Sequence, residues 1–297
     1  MSSIQKVAVI GASGSLGVAA VEELLNAGFS VTAITRVESK ATFPDGVIVK
    51  RVNLDSFDSI KDTVSGHDAV VSTSAIEAAA ATKLIIDAVI AAKVPRYIPS
   101  EFGIDTRKYR NLKIGALLMP KIRNVDYLIE VAQKHNWFSW TGIANGLFFD
   151  WTFKHGYHFI QPELRKFYIV DSGDEPFSTS TLNFVGKAIA AVLKMPAETA
   201  NKYLNVAGMI TTQSEVLRAV EEVTGSKYEI SYLKSTDLEK IADEKIARND
   251  HTGFMEYLQQ FLFADGIGHA LAPEDSANVL LGLEHEDLME AVKKSLP

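Results

Sequence analysis

The first residues able to do chemistry in this 297-residue chain are Gly11-Ala12-Ser13-Gly14-Ser15-Leu16-Gly17. They follow the apolar, β-branched run Lys6–Ile10 and precede Val18, Val21, Leu24 and Leu25 at helical spacing, with Gly28 as the stop. Strand, glycine turn and helix in this order make an anion cradle. Gly11 lets the chain turn sharply, Gly14 leaves a pyrophosphate room against the backbone, and Gly17 lets helix and strand lie close. The free N–H groups and the positive end of the helix dipole then hold phosphate. The chemistry this serves is that of a bound dinucleotide. Arg36 stands about 20 residues further on, where a carboxylate would accept from a ribose 2′-hydroxyl. A guanidinium there suits a 2′-phosphate, so NADPH is expected over NADH. Lys40 adds a second positive charge, and Glu38 is the one nearby residue that argues for the plain ribose.

Further along, Ser72-Thr73-Ser74 ends a strand, which places Ser72 and Ser74 beside the adenine and its ribose. Ser100 and Glu101 end the next strand at the nicotinamide end, although Glu101 also suits a purely local cap. Asn145, Phe148 and Phe149 open a stretch that continues through Trp151, Phe153, His155, Tyr157 and His158. These are candidate substrate residues, since aromatic walls with a few polar groups suit a small aromatic ligand. Such a run is more often plain core. No His/Asp/Glu spacing suggests a metal site, and no serine sits on a nucleophile elbow.

These residues need a scaffold that gathers loop ends, and the periodicities supply one. Strands are expected at Lys6–Ile10, Ser30–Thr35, Val47–Val52, Ala69–Thr73, Arg96–Pro99 and Trp137–Ile143. Helices alternate with them: one after Gly17, one over Ser56–Val64, one from Ala78 to Lys93 and one from Pro120 to Lys134. That alternation implies an α/β, Rossmann-type, doubly wound parallel sheet, with right-handed crossovers that put the ligand loops on one edge. Residues 104–120 read as irregular. Beyond residue 150 the pattern changes. Strands are expected at Lys166–Val170, Lys202–Val206 and Tyr228–Leu233, and helices at Asn183–Leu193, Gly253–Phe263 and Glu286–Ser295. Two capping boxes, Thr212–Glu215 and Thr236–Glu239, each open a further helix. The expected division is a dinucleotide-binding domain over residues 1–150 and a smaller, interleaved α+β substrate part over 151–297, with some later segments rejoining the first.

Arg96-Tyr97-Ile98-Pro99-Ser100-Glu101-Phe102-Gly103, together with the glycine turn and Arg36, resembles the isoflavone reductase-like and NmrA-like group, atypical short-chain dehydrogenase/reductase relatives. Lys121-Ile122-Arg123-Asn124-Val125-Asp126-Tyr127-Leu128-Ile129-Glu130 resembles that group's active-site helix. Asn183–Ala188 and Tyr203–Gly208 resemble its later segments. The resemblance implies an NADPH-dependent reductase of a small phenolic or carbonyl-containing molecule. It assigns to Lys121 the acid/base role and the hold on the nicotinamide ribose. Those reductases carry an arginine one turn after the lysine, where this chain has Val125. Two other readings stand beside this one. An NmrA-like protein senses dinucleotide without turnover, and an NADP-binding enzyme can isomerise or dehydrate. Tyr109 and Lys113 also fit the Y-x-x-x-K of ordinary short-chain dehydrogenases.

The bulk composition fits. Hydrophobic residues make up 47% and charged residues 23%, as in ordinary globular proteins. The absence of cysteine rules out thiolate nucleophiles and disulfides. A net charge of −7 without a basic tract argues against nucleic acid. Apolar runs fall short of a membrane span, and no leader is apparent. The expected partner is a small aromatic molecule, the expected location cytoplasmic, and the expected state a monomer or homodimer.

Overall fold

The computed structural model describes residues 3–74, 82–156 and 159–296. In chain order the first half comprises β1 (Lys6–Ile10), α1 (Ser15–Asn26), β2 (Ser30–Arg36), β3 (Ile48–Val52), α2 (Phe57–Val64), β4 (Ala69–Ser72) and α3 (Thr82–Ala91). Then follow β5 (Arg96–Ile98), α4 (Lys113–Leu117), α5 (Met119–Lys134) and β6 (Ser139–Ala144). The expected start of α3 at Ala78 lies outside the described residues. The irregular stretch 104–120 is broken by the short α4, and Pro120 sits in the first turn of α5, where its missing N–H is not needed.

The later half comprises β7 (Leu147–Phe148), α6 (Phe149–His155), β8 (Ile160–Gln161), β9 (Lys166–Val170), β10 (Phe177–Ser180), α7 (Leu182–Lys194) and β11 (Lys202–Asn205). It ends with β12 (Met209–Thr211), α8 (Gln213–Thr224), β13 (Glu229–Leu233), α9 (Ser235–Ala247), α10 (Gly253–Phe263), α11 (Asn278–Leu281) and α12 (Leu288–Ser295). The first capping box forms in full at Thr212 and Glu215. The second does not: α9 starts at Ser235 behind Lys234, and no side chain caps it.

Seven parallel strands form the central sheet in the order β11-β6-β5-β4-β1-β2-β3. Both faces of its central strands are covered, and β1, buried from Val7 to Ile10, shows this best. Along β1, Val7 and Val9 enter one core with Leu24 of α1 and Val185 and Ile189 of α7. Ala8 and Ile10 enter the other with Ile60 of α2, Ile86 of α3 and Leu128 of α5. That two-sided alternation is the strand period at work. Two elements from late in the chain belong to this layer. β11 pairs with β6 as an edge strand, and α7 packs against α1. Gly186 makes that helix contact possible, because a Cβ there would lie 2.7 Å from the Ala19 carbonyl oxygen.

A third core, rich in phenylalanine, joins α6, α8, α10 and α12 to two three-stranded sheets, β12-β10-β7 and β13-β9-β8. At the amino end of β5, Arg96 is 2% exposed. Its guanidinium donates to Ser139 Oγ at 3.1 Å, to Thr199 Oγ1 at 2.7 Å and to Thr141 Oγ1, tying β5 to β6. Burial lowers its pKa to about 10.

Candidate functional site

The glycine turn lies at the carboxyl end of β1, in the middle of the sheet, where doubly wound folds bind ligands. Gly11 has φ +81°, in the left-handed region. A Cβ on Gly17 would sit 2.2 Å from the Gly11 carbonyl oxygen, so only glycine allows α1 to start this close to β1. Gly14 is the N-cap of α1, no side chain caps the helix, and its first turn has no acidic residue. Ser13, Gly14 and Ser15 are exposed, Leu16 is half-buried and Ala12 is buried. The result is an open helix terminus with donor groups to spare, and these residues fit a pyrophosphate.

Arg36 ends β2 with its side chain 76% exposed, and its Nε lies 3.3 Å from Glu38 Oε1. Lys40 is exposed two residues beyond Glu38. A residue that the sequence did not single out braces this loop. Arg51 of β3 donates from Nε to the Ser39 carbonyl at 2.7 Å and from Nη2 to the Ala41 carbonyl at 3.1 Å, on either side of Lys40. At the end of β4, buried Ser72 and half-buried Ser74 bring their hydroxyls to 3.1 Å of each other. Ser100 donates to the Ser74 carbonyl at 2.6 Å, joining the loops after β4 and β5.

Lys121 enters from the first turn of α5, half-buried, and its Nζ donates to the Phe102 carbonyl at 3.3 Å. Behind it lies Glu101, 2% exposed. Glu101 Oε2 accepts from Thr106 Oγ1 at 2.7 Å and from Tyr203 Oη at 3.1 Å. Arg107 caps the Tyr203 ring, 4.1 Å from its centroid. Burial lowers the Lys121 pKa, and the Glu101 charge opposes that shift. Burial raises the Glu101 pKa, which Lys121 and the Thr106 hydroxyl oppose. A lysine held in this way carries a proton that it releases more readily than a solvated one.

The Tyr109–Lys113 pair does not act as one unit. Tyr109 packs its ring against Phe261 and His269 at 4.6 Å each. Lys113 Nζ instead reaches Asp243 at 2.7 Å and Glu239 at 2.8 Å, both on α9, and these carboxylates push its pKa up.

Next to Phe102, a cavity of about 210 Å³ opens beyond the carboxyl ends of β5, β6 and β11. Its floor includes Gly103, Ala144 and Asn205, and its far wall includes Phe177, Phe261 and His269. Of the candidate substrate residues, Asn145 is fully buried directly behind it, and its Oδ1 accepts from the Gly103 N–H at 3.0 Å. Half-buried Phe148 packs on the core shared by α1 and α7, and Phe149 is buried against Phe153 with ring centroids 4.8 Å apart. Neither Phe148 nor Phe149 lines the cavity. Tyr157 and His158 lie outside the described residues. The aromatic wall comes mainly from α10 and β10, which spacing along the chain could not place there. Among the described residues, no His/Asp/Glu cluster could hold a metal ion, and no helix is long and apolar enough to cross a membrane.

The sequence matches the profile of the NmrA-like family over residues 3–261. It is 30% identical over 300 residues to oxidoreductase aprR of Aspergillus flavus, covering 98% of each chain. It is also 30% identical over 293 residues to oxidoreductase poxI of Penicillium oxalicum, covering 96% of this chain and 92% of that one. Among solved structures, AtPrR2 with NADP+ and (+)-pinoresinol superposes with a TM-score of 0.79 at 20% identity over 100% of both chains. The ternary complex of leucoanthocyanidin reductase from Vitis vinifera gives 0.79 at 19% identity, over 97% and 98%.

Proposed function

The chain belongs to the NmrA-like family, and from that premise we propose that it is an NADPH-dependent reductase of a small aromatic or carbonyl-containing molecule, with Lys121 as acid/base. The observation that carries the proposal is the position of Lys121: half-buried, backed by Glu101, and bonded to the carbonyl of Phe102, which precedes Gly103 in the lining of an aromatic-walled cavity. The N-terminus of α1 and the glycine turn hold the pyrophosphate. Arg36, aided by Lys40, holds the 2′-phosphate, and Ser72 and Ser74 line the adenosine end. NADPH, when bound, supplies hydride to the substrate. The chain itself orients the substrate against the bound cofactor and supplies a proton from Lys121 Nζ. Lys121 also donates toward the nicotinamide ribose when the cofactor is present. The relatives named as oxidoreductases support this reading.

The test follows NADPH absorbance over a panel of phenolic ketones and enones, with NADPH affinity measured in parallel. Lys121→Ala is expected to lose at least 100-fold in turnover, the usual scale of a general acid, while NADPH binding survives. Tight NADPH binding without turnover by the wild type would refute the reductase and point to a dinucleotide sensor.

A further inference from the structure

The loop between β2 and β3 spans residues 37–47 and carries no helix or strand of its own. Near its start the Ser39 N–H donates to the Arg36 carbonyl at 3.1 Å, closing a turn, and the Ala41 N–H donates to Ser39 Oγ at 3.3 Å. Further on, half-buried Phe43 packs on the core shared by α1 and α7. Lys40 stands between these two anchors, exposed and without an acidic partner among the described residues, whereas Arg36 has Glu38 at 3.3 Å.

The loop has one further restraint, and it comes from outside. Arg51 of β3 reaches back with two donors of its planar fork, Nε to the Ser39 carbonyl at 2.7 Å and Nη2 to the Ala41 carbonyl at 3.1 Å. Arg51 lies opposite Thr35 in the sheet, so the fork starts from a fixed strand one residue short of Arg36. Among the described residues Arg51 makes no ion pair, and its guanidinium is committed to these two carbonyls. They flank Lys40, so the peptide groups on both sides of that lysine are pinned. A loop ordered in advance does not have to be ordered when a ligand arrives, and the ligand binds more tightly for it.

We propose that Arg51 is a positioning residue for cofactor choice: by clamping Ser39 and Ala41 it presents Lys40 to the 2′-phosphate. The proposal rests on the reading of Arg36 and Lys40 as the 2′-phosphate site. Arg51 itself holds the loop and not the cofactor, so its effect passes through Lys40.

Two measurements on the full chain test this. The first is limited tryptic digestion without nucleotide, with cutting after Lys40 followed by mass spectrometry. Cutting tracks local opening, so Arg51→Ala should be cut there about threefold faster than the wild type, or more. The second is titration of NADPH and NADH by nicotinamide fluorescence. Arg51→Ala should weaken NADPH about 3- to 10-fold, the scale of ordering one long side chain, and leave NADH unchanged. Arg51→Lys keeps the charge but cannot span both carbonyls, so it should resemble Arg51→Ala. In a Lys40→Ala background, Arg51→Ala should cost little more NADPH affinity, because the two residues act as one unit. If Arg51→Ala melts early, Arg51→Gln is the second variant. Unchanged cutting after Lys40, an equal loss of NADPH and NADH, full recovery in Arg51→Lys, or an undiminished effect in the Lys40→Ala background would each overturn the proposal. A wild type without preference for NADPH would overturn the cofactor reading and the proposal with it. The digestion, which needs no cofactor, tells that failure apart from the failure of the clamp alone.

Discussion

At the scale of single residues, the site is a set of charges whose surroundings decide what they do. In the proposed mechanism Lys121 must be protonated to act as an acid, so activity is expected to fall as pH rises through its pKa. The Glu101 carboxylate raises that pKa, and Asp105, Tyr97 and Tyr203 are the other titratable groups around Glu101. Glu101→Gln keeps an acceptor for Thr106 and Tyr203 but removes the charge. The basic limb of the kcat profile is therefore expected to move to lower pH, and a limb that stays put would show that Glu101 does not act on Lys121. Arg36 belongs to a different equilibrium. A charge-assisted bond is worth roughly 1.5–3 kcal/mol, so Arg36→Ala should weaken NADPH about 10- to 100-fold and leave NADH nearly unchanged in a fluorescence titration. Arg36 was legible in the sequence because its place depends only on distance along one β-α-β unit. Thr106 and Tyr203 were not, because their shared partner Glu101 brings together segments about a hundred residues apart.

At the scale of elements, the proposed cofactor cradle is a close contact between β1 and α1. Gly17→Ala puts a methyl 2.2 Å from backbone that has no flexible end to give way. The helix must move, at a cost of about 1–3 kcal/mol. The expected outcome is a lower melting temperature together with loss of NADPH affinity in calorimetry. Gly14→Ala, whose Cβ would meet only the Gly11 carbonyl at 3.3 Å, should disturb folding less than Gly17→Ala. The central strands of the main sheet were legible because short runs rich in apolar and β-branched residues, such as Val7–Ile10 and Ala69–Val71, are buried on both faces. The two-residue strands β7 and β8 carry too few side chains to show a period, and α9 begins before its apparent capping box because Lys234 already has the extended N-cap backbone.

At the scale of the whole molecule, the two halves exchange parts. The loop before α12 sends Glu286 to the N-terminus of α7, where it accepts from the Thr181 N–H at 3.0 Å and the Thr181 hydroxyl at 2.5 Å. α7 in turn packs on α1, behind the cofactor turn. Glu286→Ala removes two charge-assisted bonds and should lower the unfolding free energy by about 2 kcal/mol. NADPH affinity measured well below the melting temperature should be unchanged. A cut at residue 150 would discard β11 and α7 and leave β6, buried along its whole length, without its outer neighbour. That arrangement also constrains biosynthesis. A ribosome adding roughly 5–20 residues per second finishes β6 several seconds before Lys202 emerges. Throughout that interval the nascent chain presents an apolar strand edge that only its own later segment can close. The step at greatest risk of misassembly is therefore the wait for β11, and slow codons between residues 145 and 201 would lengthen it.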